Sequence, residues 1–223
     1  MLQKWAPWDR MTRVQRWLFA LGLTGIALAR INEPFPQVAF LHHAPTLLFI
    51  LIFPRLTQIV KLSDKAWLCL FAFLAIHTLG GRYTYTNTPY DAWFEALIGY
   101  GLNELMGWER NHYDRLAHFA FGALLIAPVA ELWRRNAGLS RTLSIFLGVE
   151  FILALSALYE VFEWLLSIVL APDNVEAYNG QQGDIWDPQK DIALAFVGAI
   201  ATATGLLWRG DTRAVRIEEK GEI

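Results

Sequence analysis

Apolar residues run in long stretches along this chain, and ionisable residues gather at the ends of those stretches. Runs long enough to cross roughly 30 Å of hydrocarbon as helix lie at 14–31, 38–53, 113–133, 142–170 and 192–208. A sixth, at 66–79, is short unless it continues past Gly80 and Gly81. The pattern predicts an all-α polytopic membrane helical bundle of about six transmembrane helices. The short alternating segments of a membrane β-barrel are absent. No repeat period or low-complexity tract divides the chain, so 1–223 reads as a single integral membrane domain. Within one long connection, "DAWFEALIGYGLNELMGW" places Trp93, Phe94, Leu97, Ile98, Leu102, Leu105 and Met106 at roughly helical spacing. This stretch is expected to form one interfacial or reentrant helix.

Composition agrees with that reading. Apolar residues make up 55% of the chain, ten are Trp, and the mean hydropathy is +0.30. A net charge of -2 provides no field for nucleic acid. Cys69 is alone, which excludes an intrachain disulfide and a cysteine-type structural zinc site. Lys4, Arg10, Arg13, Arg16, Arg55, Lys61, Lys65, Arg134, Arg135, Arg141, Arg209, Arg213, Arg216 and Lys220 all fall on one side of a six-span arrangement. By the bias of Lys and Arg toward the cytoplasm, both termini are expected there, in a bacterial cytoplasmic (inner) membrane. Ala27 to Ala29 has the form of a signal cleavage site, but the long Trp-bearing head favours a retained first span.

The remaining polar residues sort by depth. His42, His43, His77, His112, Asp114, His118, Glu160, Glu163, Asp184, Asp187 and Asp191 all lie toward the outer ends of their spans. Ionisable groups in a membrane are costly and mark water-filled sites or ion paths. Asp114 with His118 and Asp187 with Asp191 are four apart, and Glu160 with Glu163 three apart, so each pair shares a helix face. Three helices could aim these pairs at one cavity. Carboxylate with imidazole suits zinc, manganese or iron, whereas oxygen alone suits magnesium or calcium. Asp114, His118, Glu163, Asp184 and Asp191 are the candidate metal ligands, with Glu160 and Asp187 as candidate catalytic carboxylates. His77, Arg82, Tyr83, Tyr85 and Arg115 are candidates for binding a substrate. Structural explanations compete: Asp187 before Pro188 suits a helix start, and Asp114 can satisfy a helix N-terminus. His42 and His43 read as polar contacts, and His112 as a solvated residue of an outer loop. Glu160 and Glu163 are harder to explain so, because they crowd the C-terminal half of their helix, where the dipole opposes negative charge.

"HTLGGRYTYTNTPYD", "RNHYDRLAHFAFG", "LYEVFEW" and "YNGQQGDIWDPQKDIALAFVGA" closely resemble the YjdF-like bacterial inner membrane proteins, over most of the chain from the third span onward. A more distant likeness is to VanZ-like proteins, in which Asp114, His118, Glu160 or Glu163, and Asp187 with Asp191 occupy corresponding places. That likeness implies a place in the cell envelope without naming a reaction. The expected function is a divalent-metal site at the outer, periplasmic face that acts on an envelope lipid headgroup as a hydrolase or transferase. The ion would be zinc, manganese, magnesium or calcium. The alternative is a non-catalytic protein that binds or transports a lipid headgroup or a cation. Membrane lipids are the expected partners in either case, and the oligomeric state is not legible.

Overall fold

The computed structural model describes residues 7–169 and 179–219, with backbone only from 210 onward. Lys4, Lys220, residues 170–178 and the side chains of Arg213 and Arg216 lie outside the described residues. Among the described residues, eight helices follow a short 3-10 turn (Pro7–Arg10). These are α1 (Arg13–Arg30), α2 (Pro36–Ile59), α3 (Asp64–Arg82), α4 (Tyr90–Ile98), α5 (Leu102–Met106), α6 (Tyr113–Ala137), α7 (Arg141–Val169) and α8 (Asp187–Glu219). No strand occurs among the described residues.

Among the described residues four helices, α2, α6, α7 and α8 as far as Arg209, are long and apolar enough to cross a bilayer. α1 and α3 fill the other two expected runs with 18 and 19 residues. Both carry charge at each end, Arg13, Arg16 and Arg30 on α1 and Asp64, Lys65 and Arg82 on α3, and fall short of the same standard. α2 continues through Pro54 to Ile59, six residues beyond the expected run, because a proline removes only one ladder bond. α3 runs through Gly80 and Gly81. The interfacial helix expected over 91–108 is instead two short helices, because Gly99 takes a left-handed φ of 86° and ends α4.

The helices form two groups of three, α1–α2–α3 and α6–α7–α8, joined where α3 packs on α6. In lipid there is little hydrophobic force between helices, so close packing and polar contacts decide how they meet. The first group interlocks through large rings: Phe53 lies 5.1 Å from Trp67 and 4.8 Å from Phe71 between ring centroids, both edge-on. The second group uses the opposite device. Gly122 and Gly198 bring α6 and α8 so close that a Cβ on either would collide with the facing backbone. Ala195 and Ala199 on the same seam are fully buried.

Polar contacts fix both ends. On one side Glu131 of α6 accepts from the Ser63 backbone and hydroxyl, each at 2.7 Å, at the start of α3. Thr12 caps α1 in a reciprocal box with Gln15. On the other side Arg82 donates to the terminal carbonyls of α1, including Ile31 at 2.8 Å.

Candidate functional site

The starts of α6 and α8 lie together because the small-residue seam sits directly below them. His118 is one turn before Gly122, and Asp191 one turn before Ala195. The close approach of Gly122 to Ala195 therefore sets His118 against Asp191. Ligating atoms of Asp114, His118 and Asp191 all lie within 4.8 Å of one another. Glu160 enters from α7, its Oε1 3.7 Å from His118 Nε2. Asp114 Oδ1 is also 3.7 Å from that nitrogen. Both separations exceed a hydrogen bond. Glu160 Oε1 and Asp191 Oδ1 are buried without a hydrogen-bond partner among the described residues, in side chains that are 7% and 2% exposed. Glu163 lies beside Glu160 and Tyr159, half-buried.

A second layer lies one turn outward. Arg110 Nη1 donates to Asp187 Oδ1 at 2.7 Å and Nη2 to Oδ2 at 3.4 Å. Arg115 donates to Asp184 at 2.6 Å and to Asp187 at 3.3 Å, and Lys190 reaches Asp184 at 2.6 Å. Arg110 also donates to the carbonyls of Gly180 and Gln181. Asn111 and Gln182 exchange two bonds of 3.0 Å each between the same loops. Three cations thus serve two carboxylates in this layer. The deeper layer, with three carboxylates around one imidazole, has no such cation within it among the described residues.

The structure therefore divides the expected ligands. Asp114, His118 and Asp191 come together with Glu160 next to them. Asp184 and Asp187 are occupied by guanidinium and ammonium groups, and Arg115 serves them. Lys190, chiefly, holds the Asp184 carboxyl down to about 2 from an ordinary 3.8. A depressed value contributes stability that is complete above the ordinary value and lost as pH falls through the folded one. Lys190→Ala is thus expected to shift acid unfolding to higher pH, within roughly the interval from 4 to 2, as read by circular dichroism during acid titration.

Beside the deeper layer a cavity of about 390 Å³ opens between the two helix groups. Apolar side chains such as Phe49, Phe73, Phe121 and Leu155 form most of its wall, and Asp114 and His118 border it. His77 and Tyr85 border it as well. Arg82 and Tyr83 do not: they lie at a separate groove between α1 and α3. His42 and His43 are buried polar contacts, His43 bonding the Thr78 carbonyl at 3.1 Å. His112 stacks on Trp108 with ring centroids 4.4 Å apart. Sequence reasoning missed Glu33, whose almost fully buried carboxylate pairs with Arg30 and with His43 at 3.2 Å. It also missed Arg110 as the partner of Asp187. The "RNHYD" and "GQQGD" stretches did contain the signal, an unpaired Arg facing an acidic helix start.

A family described as "Predicted membrane protein (DUF2238)" matches residues 14–212. The chain belongs to the DUF2238 family. This DUF2238 chain is also 29% identical over 159 residues to "Inner membrane protein YjdF" of Escherichia coli (strain K12), which spans 71% of this chain and 72% of that protein. No solved structure matches. The relative and the membrane-spanning helices together support a membrane location for this DUF2238 protein.

Proposed function

We propose that this protein holds a divalent cation between Asp114, His118 and Asp191 and uses it on the polar headgroup of an envelope lipid whose acyl chain lies in the adjoining cavity. In this reading α1 and α3 also cross the membrane, making six spans, with both termini cytoplasmic and the site at the outer face of the inner membrane. The supporting observation is the deeper layer itself. Buried acceptor oxygens on Glu160 and Asp191 lack donors, and His118 stands too far from Asp114 and Glu160 to supply one. Uncompensated buried carboxylates are strongly unfavourable, and a cation among them removes the penalty.

Two carboxylates and one imidazole favour zinc or manganese over magnesium or calcium. Bound there, such an ion would supply a Lewis acid for a headgroup oxygen. The chain's own groups do the rest. The apolar wall holds the acyl chain and excludes water, and Glu160 is placed to take or return a proton beside the ion. Arg110 and Arg115 keep Asp187 and Asp184 neutralised, so that these do not compete for the cation.

The test is elemental analysis of detergent-purified protein after incubation with zinc, manganese, magnesium and calcium, with helical circular dichroism checking the fold. The wild type is expected to retain about one equivalent of one metal. His118→Ala and Asp191→Asn are expected to lose it while remaining folded, and Asp184→Asn to keep it. A folded wild type that retains none of the four metals rules the reading out.

A further inference from the structure

The outward side of α7 is apolar but for one carboxyl group. Between Leu143 and Val169 every exposed residue of this helix is aliphatic or aromatic except Glu150. Glu150 lies roughly 14 Å from one end of the helix and roughly 28 Å from the other, well inside a span long enough to cross the bilayer. No hydrogen bond, ion pair or other electrostatic contact reaches it among the described residues. Ile145, Ile152 and Ser156 form the buried side of α7, which packs on α6 and α8. Leu155, Ser156 and Tyr159 border the cavity. Around the helix Glu150 stands roughly 120° or more from each of these, so it belongs neither to the core nor to the site.

A carboxyl group facing hydrocarbon has no water to bond, and glutamate is shorter than the lysine and arginine stems that reach an interface from depth. It is stabilised when another polar group meets it at its own level. A second copy, inserted in the same orientation, brings such a group in its own Glu150, because a two-fold contact sets one patch against itself. Two carboxyl groups that share a proton act as donor and acceptor to each other. The surroundings suit such a contact. Leu143, Val161 and Ile168 lie on the same face as Glu150 and are exposed with it, a stripe at helical spacing that can pack on another helix. Ala154, one turn beyond Glu150 and also exposed, lets a second backbone approach closely at that level.

We propose that the exposed face of α7 pairs with the same face of a second copy of the chain, the two Glu150 carboxyl groups bonding through a shared proton inside the bilayer. The side of α7 that borders the cavity is left free in this pair. Neither the cation nor the lipid of the proposed function enters into it.

The test uses the full chain reconstituted in phosphatidylcholine vesicles over a range of lipid-to-protein ratios. Association is read by energy transfer between copies carrying a donor or an acceptor dye at the N-terminus, and helical circular dichroism checks the fold. The wild type is expected to associate. Glu150→Gln is expected to associate comparably, because an amide both donates and accepts, and Glu150→Leu about tenfold more weakly, the effect of one interhelical hydrogen bond. In a Cys69→Ser background, oxidation is expected to link copies carrying Ala154→Cys into a dimer and to leave copies carrying Leu155→Cys, on the cavity side, unlinked. A wild type that stays monomeric at every ratio overturns the proposal, and this is also the outcome if Glu150 meets a different membrane protein instead. Undiminished association of folded Glu150→Leu, or linkage through Leu155→Cys without linkage through Ala154→Cys, overturns it as well.

Discussion

Gly122→Ala is expected to leave little stably folded protein and to abolish whatever metal binding the wild type shows. A Cβ at residue 122 would fall well inside van der Waals contact of the Ala195 carbonyl oxygen and 2.8 Å from the Ala199 nitrogen. Both neighbours are backbone, so no rotamer change relieves the clash and α6 must move off α8. Overpacking a well-packed interface is unfavourable by about 1–3 kcal/mol, and backbone against backbone belongs at the upper end. The same displacement parts His118 from Asp191, which lie one turn above the contact. Gly198→Ala, facing Phe119 on the same seam, is expected to behave alike. Gly25→Ala meets nothing within 4 Å and is the control. Thermal unfolding in detergent, with metal content measured on the surviving folded fraction, distinguishes these outcomes. A Gly122→Ala protein as stable as Gly25→Ala would show that the seam is looser than described.

The second large effect is expected from Arg110→Ala. Asp187 is 2% exposed and takes both forks of Arg110, so truncation leaves a buried carboxylate with only the longer contact to Arg115. Breaking a buried pair from one side is typically unfavourable by about 3–5 kcal/mol, and the carbonyls of Gly180 and Gln181 each lose one of their donors as well. Arg110→Lys is expected to recover only part, because an ammonium cannot reproduce the two-pronged contact. Adding Asp187→Asn to Arg110→Ala is expected to restore much of the stability by removing the stranded charge. Strictly additive losses in that double-mutant cycle, measured by denaturant unfolding, would contradict the coupling.

How much of this was legible follows from helix geometry. Long apolar runs declared the membrane helices, and four-residue spacing placed Asp114 with His118 on one face. The same spacing placed Asp187 with Asp191, but it hid the difference between them. One helical turn separates the two by about 5.4 Å along the axis. That is enough to put Asp187 in reach of the loop bearing Arg110 and Asp191 in reach of His118. Periodicity gives the face of a residue and is silent on which neighbour waits at each depth. Glu33 escaped for a related reason: it sits in the short link between α1 and α2, where no period exists to assign it a direction. The helix expected over 91–108 failed at Gly99, where a left-handed residue outweighs a continuing apolar pattern.

The joining of the two helix groups along α3 and α6 bears on how a ligand arrives. Among the described residues α2 and α7, the outer walls of the cavity, make no extensive contact with each other, so the cavity is flanked like the gutter of a half-open book with α3 and α6 as its spine. If the ligand is the lipid proposed above, it slides in sideways from the leaflet without leaving it. Its effective concentration is then set by its mole fraction among neighbouring lipids, and dilution of the surrounding water leaves occupancy unchanged.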